Sequence, residues 1–291
     1  MTLVPMSEML VKAKKEKYAV PQFNIINMEF TQAIVEVSNE ENSPVILGVG
    51  EPTIKYMGME YVIAIANAAA KNSSIPIALH LDHGSSFEVV MQCIKAGFSS
   101  VMIDGSKYSF EKNIALTNKV VEAAHSVGVS VEAELGTIGG TEDNIYVNEN
   151  DVILPSAEEA IEFWNHTNVD ALAVAVGTAH GMYKIEPKIK FDVISKIYNS
   201  IPVPLVLHGG SGVPDQDIQK AIHCGISKIN VNTENQVAFS NAVKQIINSN
   251  NDIQDSRLFL RVGREAVKQM VRSKIRLFNS ANKTDAIILN K

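Results

Sequence analysis

His83, His180 and His208 each follow a short apolar run: IALHLDHG from Ile77, ALAVAVGTAHG from Ala171 and PLVLHGG from Pro204. Three imidazoles delivered from separate parts of a chain suit a divalent ion of the zinc type. A catalytic zinc centre uses three protein ligands and keeps one position open. Carboxylates close neighbouring runs: Asp82 beside His83, Asp104 in SVMIDG and Glu134 in VEAELG. Asp104 and Glu134 are candidate outer partners or alternative ligands of the ion, and Asp82 is a candidate proton carrier. His125, His166 and His223 fall in helical or loop stretches and read as solvated, while His80 lies within its run and reads as a buried, hydrogen-bonded residue.

Glycines supply a second signal. HGGSG (His208 to Gly212) and NVNT (Asn230 to Thr233) end two successive apolar runs. Gly209, Gly210 and Ser211 let the backbone approach an anion, and Thr233 adds a hydroxyl, which suits a phosphate group. An ion acting as Lewis acid, a phosphate cradle and a carboxylate base together fit aldol cleavage through an enediolate. The other route to that chemistry, a lysine Schiff base, needs a lysine at the C-terminal end of a strand. Lys228 reads as standing at the opposite end of its strand, and Lys107 and Lys184 as loop residues.

The elements that must position these groups are written as a repeat. Eight strand-like runs begin at Ala19, Pro44, Ile77, Ser100, Val129, Ala171, Pro204 and Lys228. Between them, apolar residues recur at three- and four-residue spacing, as in FEVVMQCIKAG and EKNIALTNKVVEAAHSVG. Near-continuous apolar strands alternating with helices predict a parallel sheet covered by helices. Eight such units predict a (β/α)8 TIM barrel, an α/β fold, with residues 1–291 as a single domain. In that fold the chemistry gathers at the C-terminal ends of the strands. Those ends carry Asn24, Gly50, Asp82, His83, Asp104, Glu134, His180, His208, Asn230 and Asn232. Ser85 with Glu88 reads as a capping box opening the third helix. The polar stretch TEDNIYVNENDVILPS from Thr141 reads as a lid, and residues from Ser256 as extra C-terminal helices.

Composition excludes several classes. A hydrophobic content of 46% with 20% charged residues supplies a full core. A net charge of −6 argues against nucleic acid or an acidic membrane surface as partner. The N-terminal stretch MTLVPMSEMLVKAKKEK has no signal-peptide pattern, no run is long enough to span a bilayer, and Cys93 and Cys224 read as reduced thiols. These features predict a cytoplasmic enzyme of small molecules.

Over nearly the whole chain, from YAVPQFNI to RVGREAVKQMVRSKI, the sequence resembles the class II, zinc-dependent fructose-bisphosphate aldolase family, including its tagatose-bisphosphate aldolase branch. The markers are LHLDHGSS, SVMIDGS, VEAELGTIGGTED, VGTAHGMYK, LHGGSG and KINVNTENQ. The resemblance implies Zn2+ held by His83, His180 and His208, with Asp104 and Glu134 as the acidic residues around it. It implies that Asp82 moves the proton at the C4 oxygen, and that Glu142 transfers a proton at dihydroxyacetone phosphate. Gly181, Gly209, Gly210, Ser211, Asn230 and Thr233 match the phosphate-binding region, Asn230 also orienting the enediolate. Asn24, Val231 and Asn232 fall among the substrate-binding positions, and Arg261 matches an arginine that meets the distal phosphate, often across a subunit interface. The family also implies a homodimer or homotetramer and a monovalent cation, K+ or Na+, near the phosphate.

The expected reaction is cleavage of fructose 1,6-bisphosphate to dihydroxyacetone phosphate and glyceraldehyde 3-phosphate. NVNTENQ resembles the fructose branch, whereas AVGTAHGMY and RVGREA resemble the tagatose branch, which acts in galactitol, amino-sugar and tagatose catabolism. One departure bears on the distal phosphate: Gly50 stands where many relatives carry a hydroxyl residue. A zinc hydrolase on the same barrel is a different reading, but it would favour an HxH pair where this chain has HLDH. A sugar-phosphate binding module would bind without turnover.

Overall fold

The computed structural model describes residues 2–142, 145–147, 153–183, 186–249 and 252–284, with only the backbone described at 141–142 and 145–147. Eight parallel strands close a barrel: β1 (Val20–Asn24), β2 (Val45–Val49), β3 (Ile77–Gly84), β4 (Ser100–Ile103), β5 (Ser130–Leu135), β8 (Ala171–Val174), β10 (Leu205–Leu207) and β11 (Ile226–Val231). They follow one another around the barrel in chain order, β1 pairing β11 to complete the ring. Among the described residues three short strands stand outside it: β6 (Gly139–Glu142) and β7 (Ile145–Val147), which run into the stretch read as a lid, pair antiparallel, and β6 pairs β9 (Ala179–His180).

The barrel strands read as continuous apolar runs because both of their faces are covered. Phe23, Leu47, Leu79, Val101 and Val131 face the outer helices. Those helices are α2 (Met28–Glu40), α3 (Glu51–Met57), α4 (Met59–Lys71), α5 (Phe87–Ala96), α6 (Phe110–His125), α7 (Ala157–Thr167), α8 (Phe191–Ser200), α9 (Asp215–Cys224) and α10 (Thr233–Ser249). Inside, Val20, Ile46, Ala78, Ala171, Ala173 and Val206 meet Met6, Met9, Leu10 and Ala13 of α1 (Met6–Glu16). The N-terminal helix therefore floors the barrel with sulfur and aliphatic groups, leaving the opposite mouth for polar side chains.

The C-terminal addition is α11 (Ser256–Leu277), which packs along α10 and α2 and sends Val267, Val271 and Ile275 into the core. Its outer face pairs Lys268 with Glu36 at 3.2 Å and Arg276 with Glu41 at 2.8 Å.

Two sequence expectations need correction. The cap of α5 is Ser86, whose side chain accepts the Val89 N–H at 3.3 Å. Ser85 instead donates its own N–H to Glu51 Oε1 at 2.8 Å, so the Ser85–Glu88 box does not form. Lys228 is not at the start of its strand: β11 begins at Ile226, straight after the Gly225 turn, and Lys228 is a fully buried mid-strand residue. Lys184 lies outside the described residues. Cys93 and Cys224 are both free.

Candidate active site

Asp82 and His83 are consecutive, yet both line the same cavity, whereas neighbours on a strand point to opposite faces. A bulge resolves this. On β3 the pairing with β4 runs His80 to Ser100 and Leu81 to Val101, then jumps to Gly84 and Ile103. Three steps on β3 match two on β4, and the extra residue breaks the alternation. His83 absorbs it at φ 50°, a left-handed conformation that a non-glycine residue holds only under constraint. The other described non-glycine residues with positive φ stand at helix ends and turns.

The three histidines converge. Their ligand nitrogens lie within 4.8 Å of one another. The ring of His83 stands 5.1 Å from that of His180 and 4.7 Å from that of His208, and His83 Nε2 lies 3.0 Å from His208 Nδ1. The far nitrogens of two of the rings meet carboxylates: His83 Nδ1 to Asp104 Oδ2 at 3.1 Å, and His208 Nε2 to Glu132 Oε1 at 2.9 Å. A carboxylate on the far nitrogen places the N–H there and turns the bare nitrogen inward. Burial lowers the pKa of His208. Burial works against ionisation of Asp104, but hydrogen bonds from His83 and Ser106 hold it below the usual carboxylate range. Three converging imidazoles, those of His83 and His208 backed by carboxylates, are the donor set a zinc-type divalent ion takes, so the residues present fit one. Glu134 stands 3.8 Å from His83 Nδ1, and with Asp104 and His83 it makes a second ligand-capable group.

Asp82 is 2% exposed. Its two oxygens accept from Asn24 Nδ2 at 3.0 Å and Asn230 Nδ2 at 3.3 Å, which ties the ends of β1, β3 and β11 together around one carboxylate. Asn230 Nδ2 also reaches 3.5 Å from His208 Nδ1. A cavity of about 250 Å³ opens over Asp82, His83, Asp104, Glu134 and His180, and Gly50, Glu51 and Ser85 also line it.

The glycine loop packs against the same mouth. Gly209 sits at φ 67°, and a Cβ there would lie 2.3 Å from the Ala179 carbonyl oxygen. Gly209, Gly210 and Ser211 are buried beside Asn230, Val231 and Asn232, while Thr233 opens α10 with Gly181 nearby in the chain after β9. Tyr183, not singled out from the sequence, staples the loops: its hydroxyl accepts the Ala179 N–H at 2.7 Å and donates to the Gly209 carbonyl at 2.8 Å. Arg261 lies on the exposed face of α11 and is not among the residues lining the cavity. The Glu142 backbone belongs to β6, and its side chain lies outside the described residues.

Below the site is a charged layer that sequence reasoning missed. Lys228 Nζ lies 2.8 Å from Glu132 Oε2, both side chains fully buried, and His80 Nε2 is 3.7 Å from the same oxygen. His80 Nδ1 pairs with the Ser100 hydroxyl at 2.7 Å, so the expectation of a buried histidine with a partner is met. Burial, assisted by Lys228, pushes His80 down to about 3. Burial opposes ionisation of Glu132, but Lys228 and His208 outweigh it and hold the carboxyl below its ordinary range. Lys228 is thus committed to a carboxylate, which takes it out of consideration as an amine nucleophile.

A model of the class II fructose-bisphosphate aldolase family matches residues 4–283. Fructose-bisphosphate aldolase of Staphylococcus epidermidis is 51% identical over 286 residues, covering 97% of this chain and 99% of that protein. The Geobacillus stearothermophilus enzyme of the same name is 50% identical over the same length. Among solved structures, the YdjI aldolase of Escherichia coli K12 superposes with a TM-score of 0.83 at 34% identity, over 98% of this chain and all of that one. Among the described residues no helix is long and apolar enough to cross a membrane. Barrel, histidine cluster and sequence agree: this chain is an aldolase, a carbon–carbon lyase, and it belongs to the class II fructose-bisphosphate aldolase family.

Proposed function

We propose that the chain, as one domain over residues 1–291, catalyses reversible zinc-dependent cleavage of fructose 1,6-bisphosphate to dihydroxyacetone phosphate and glyceraldehyde 3-phosphate. The observation that carries this reading is the convergence of His83, His180 and His208 beside an Asp82 carboxylate gripped by two amides. A zinc ion, when bound by the three imidazoles, supplies Lewis-acid polarisation of the ketose oxygens at C2 and C3. Asp82 takes the proton of the C4 hydroxyl. The C3–C4 bond breaks, C4 becomes the aldehyde of glyceraldehyde 3-phosphate, and the electron pair passes to C3 and the C2 oxygen. A proton returned to C3 by Glu142 completes dihydroxyacetone phosphate. Gly181, Gly209, Gly210, Ser211, Val231, Asn232 and Thr233 hold its phosphate with a monovalent cation, and Asn24 and Asn230 orient the reacting end. The enzyme works in the cytoplasm as a homodimer or homotetramer, in which the exposed Arg261 reaches a neighbouring subunit's distal phosphate.

Tagatose 1,6-bisphosphate, the C4 epimer, is the second reading, supported by the AVGTAHGMY and RVGREA stretches. Side-by-side rates on the two hexulose bisphosphates decide between them, and faster turnover of the tagatose sugar would overturn the fructose assignment. Chelation should abolish triose formation and zinc restore it. Asp82→Ala should keep its bound zinc and lose turnover by about a hundredfold or more. Release of inorganic phosphate without triose would overturn the lyase reading in favour of a hydrolase.

A further inference from the structure

Glu234 is the second residue of α10, at the edge of the glycine loop. Its Oε1 accepts the Gly212 N–H at 3.0 Å, and its Oε2 lies 2.7 Å from Lys274 Nζ. Lys274 comes from the last turn of α11. The other lysines and arginines of α11 are exposed or half-exposed, and Arg264, Lys268, Arg272 and Arg276 meet the acids of α2 and its C-terminal end. Lys274 is the buried cation of this helix, its side chain 6% exposed. A buried ammonium is costly unless it meets an opposite charge, and this one meets Glu234.

Glu234 stands where its charge matters. A carboxylate in the first turn of a helix is favoured by the helix dipole. That turn also borders the loop read above as the phosphate cradle, where a second anion would be repelled. We propose that Lys274 is a positioning residue for the phosphate subsite. It fixes Glu234 on the Gly212 turn and cancels the carboxylate's charge, so that α11, outside the eight βα units, sets affinity for the phosphate end of the substrate. The proposal rests on the phosphate reading of the loop.

Binding of inorganic phosphate and of dihydroxyacetone phosphate to the zinc-loaded enzyme, by calorimetry, tests it. Lys274→Met leaves the carboxylate uncompensated, and phosphate binding should weaken roughly tenfold. KM for the bisphosphate should rise in step while kcat stays within about twofold. Glu234→Gln keeps an acceptor for the Gly212 N–H but leaves Lys274 unopposed, so phosphate should bind more tightly than to wild type. The double variant should return near wild type. If Lys274→Met does not fold, Glu234→Gln alone decides through the sign of its effect. Unchanged or weaker phosphate binding in Glu234→Gln, or a double variant as weak as Lys274→Met, overturns the proposal and leaves the aldolase reading standing. Wild-type enzyme that binds neither ligand overturns both.

Discussion

Replacing Lys228 with Met removes the ammonium that faces Glu132 at 2.8 Å inside the barrel, where both side chains are fully buried. At that separation, with an effective dielectric constant near 20, the attraction is about 6 kcal/mol. Relief of the lysine's own desolvation returns part of it, and Glu132 keeps the His208 N–H at 2.9 Å. Removing one partner of a buried pair accordingly costs about 3–5 kcal/mol, a large share of the roughly 5–15 kcal/mol that holds a folded protein together. The assay is urea denaturation at pH 7 in chelator, so that loss of a bound ion does not contribute. Lys228→Met should lower stability by that amount. Adding Glu132→Gln should recover most of it, because a neutral amide can stay in the barrel without a counter-ion. A second readout follows from the same geometry. Glu132→Ala leaves the outer nitrogen of His208 without its acceptor, and zinc affinity, measured by chelator competition, should fall about 10–100-fold. A Lys228→Met variant within about 1 kcal/mol of wild type, or a double variant no more stable than it, would refute the reasoning.

Gly209→Ala places a Cβ 2.3 Å from the Ala179 carbonyl oxygen at φ 67°, so it should cost more than about 1 kcal/mol in denaturant unfolding and raise KM more than it lowers kcat. Acid sensitivity follows from His80, whose pKa falls from an ordinary 6.5 to about 3 in the fold. Between those values the unfolded chain binds a proton that the folded chain excludes. Stability is therefore intact above pH 6.5 and declines as pH falls toward 3, by up to about 1.4 kcal/mol per unit. Glu132 and Asp104, both held below their ordinary ranges, add losses of the same sign at lower pH. Urea midpoints from pH 7 to 4 should fall less steeply in His80→Gln than in wild type, and parallel curves would sink this account.

The rim of the barrel was legible because a strand buried on both faces leaves polar side chains nowhere else to go. Asp82, Asp104, Glu134 and His208 each interrupt or end an apolar run; the three carboxylates line one cavity, and His208 meets His83 beside it. The charged layer beneath was not read, although alternation along β5 puts Glu132 on the same face as Glu134. Its meaning depends on Lys228, 96 residues further along the chain, and no local pattern announces a pair at that distance. The N-terminal floor was hidden for a related reason: Met6, Met9, Leu10 and Ala13 look like any amphipathic face until the barrel supplies the surface they cover.

The stretch HLDH carries the sharpest case. Strict alternation would put His80 and Asp82 on the inner face and turn His83 outward, away from His180 and His208. The bulge between Leu81 and Gly84 brings His83 in, with its own backbone in the left-handed region. A left-handed backbone is uncommon for any residue with a Cβ, histidine included, so the surrounding structure holds it, and Gly84 shows how tightly the bulge is packed: a Cβ there would lie 2.5 Å from the Met102 carbonyl oxygen. That Asp82 and His83 line one cavity although they are consecutive then follows from the bulge itself. With one residue inserted at the end of β3, the Asp82 carboxylate and the His83 imidazole face one cavity from adjoining residues, and neither can shift without moving the other. The bulge in the backbone is what lets two consecutive residues line the same cavity.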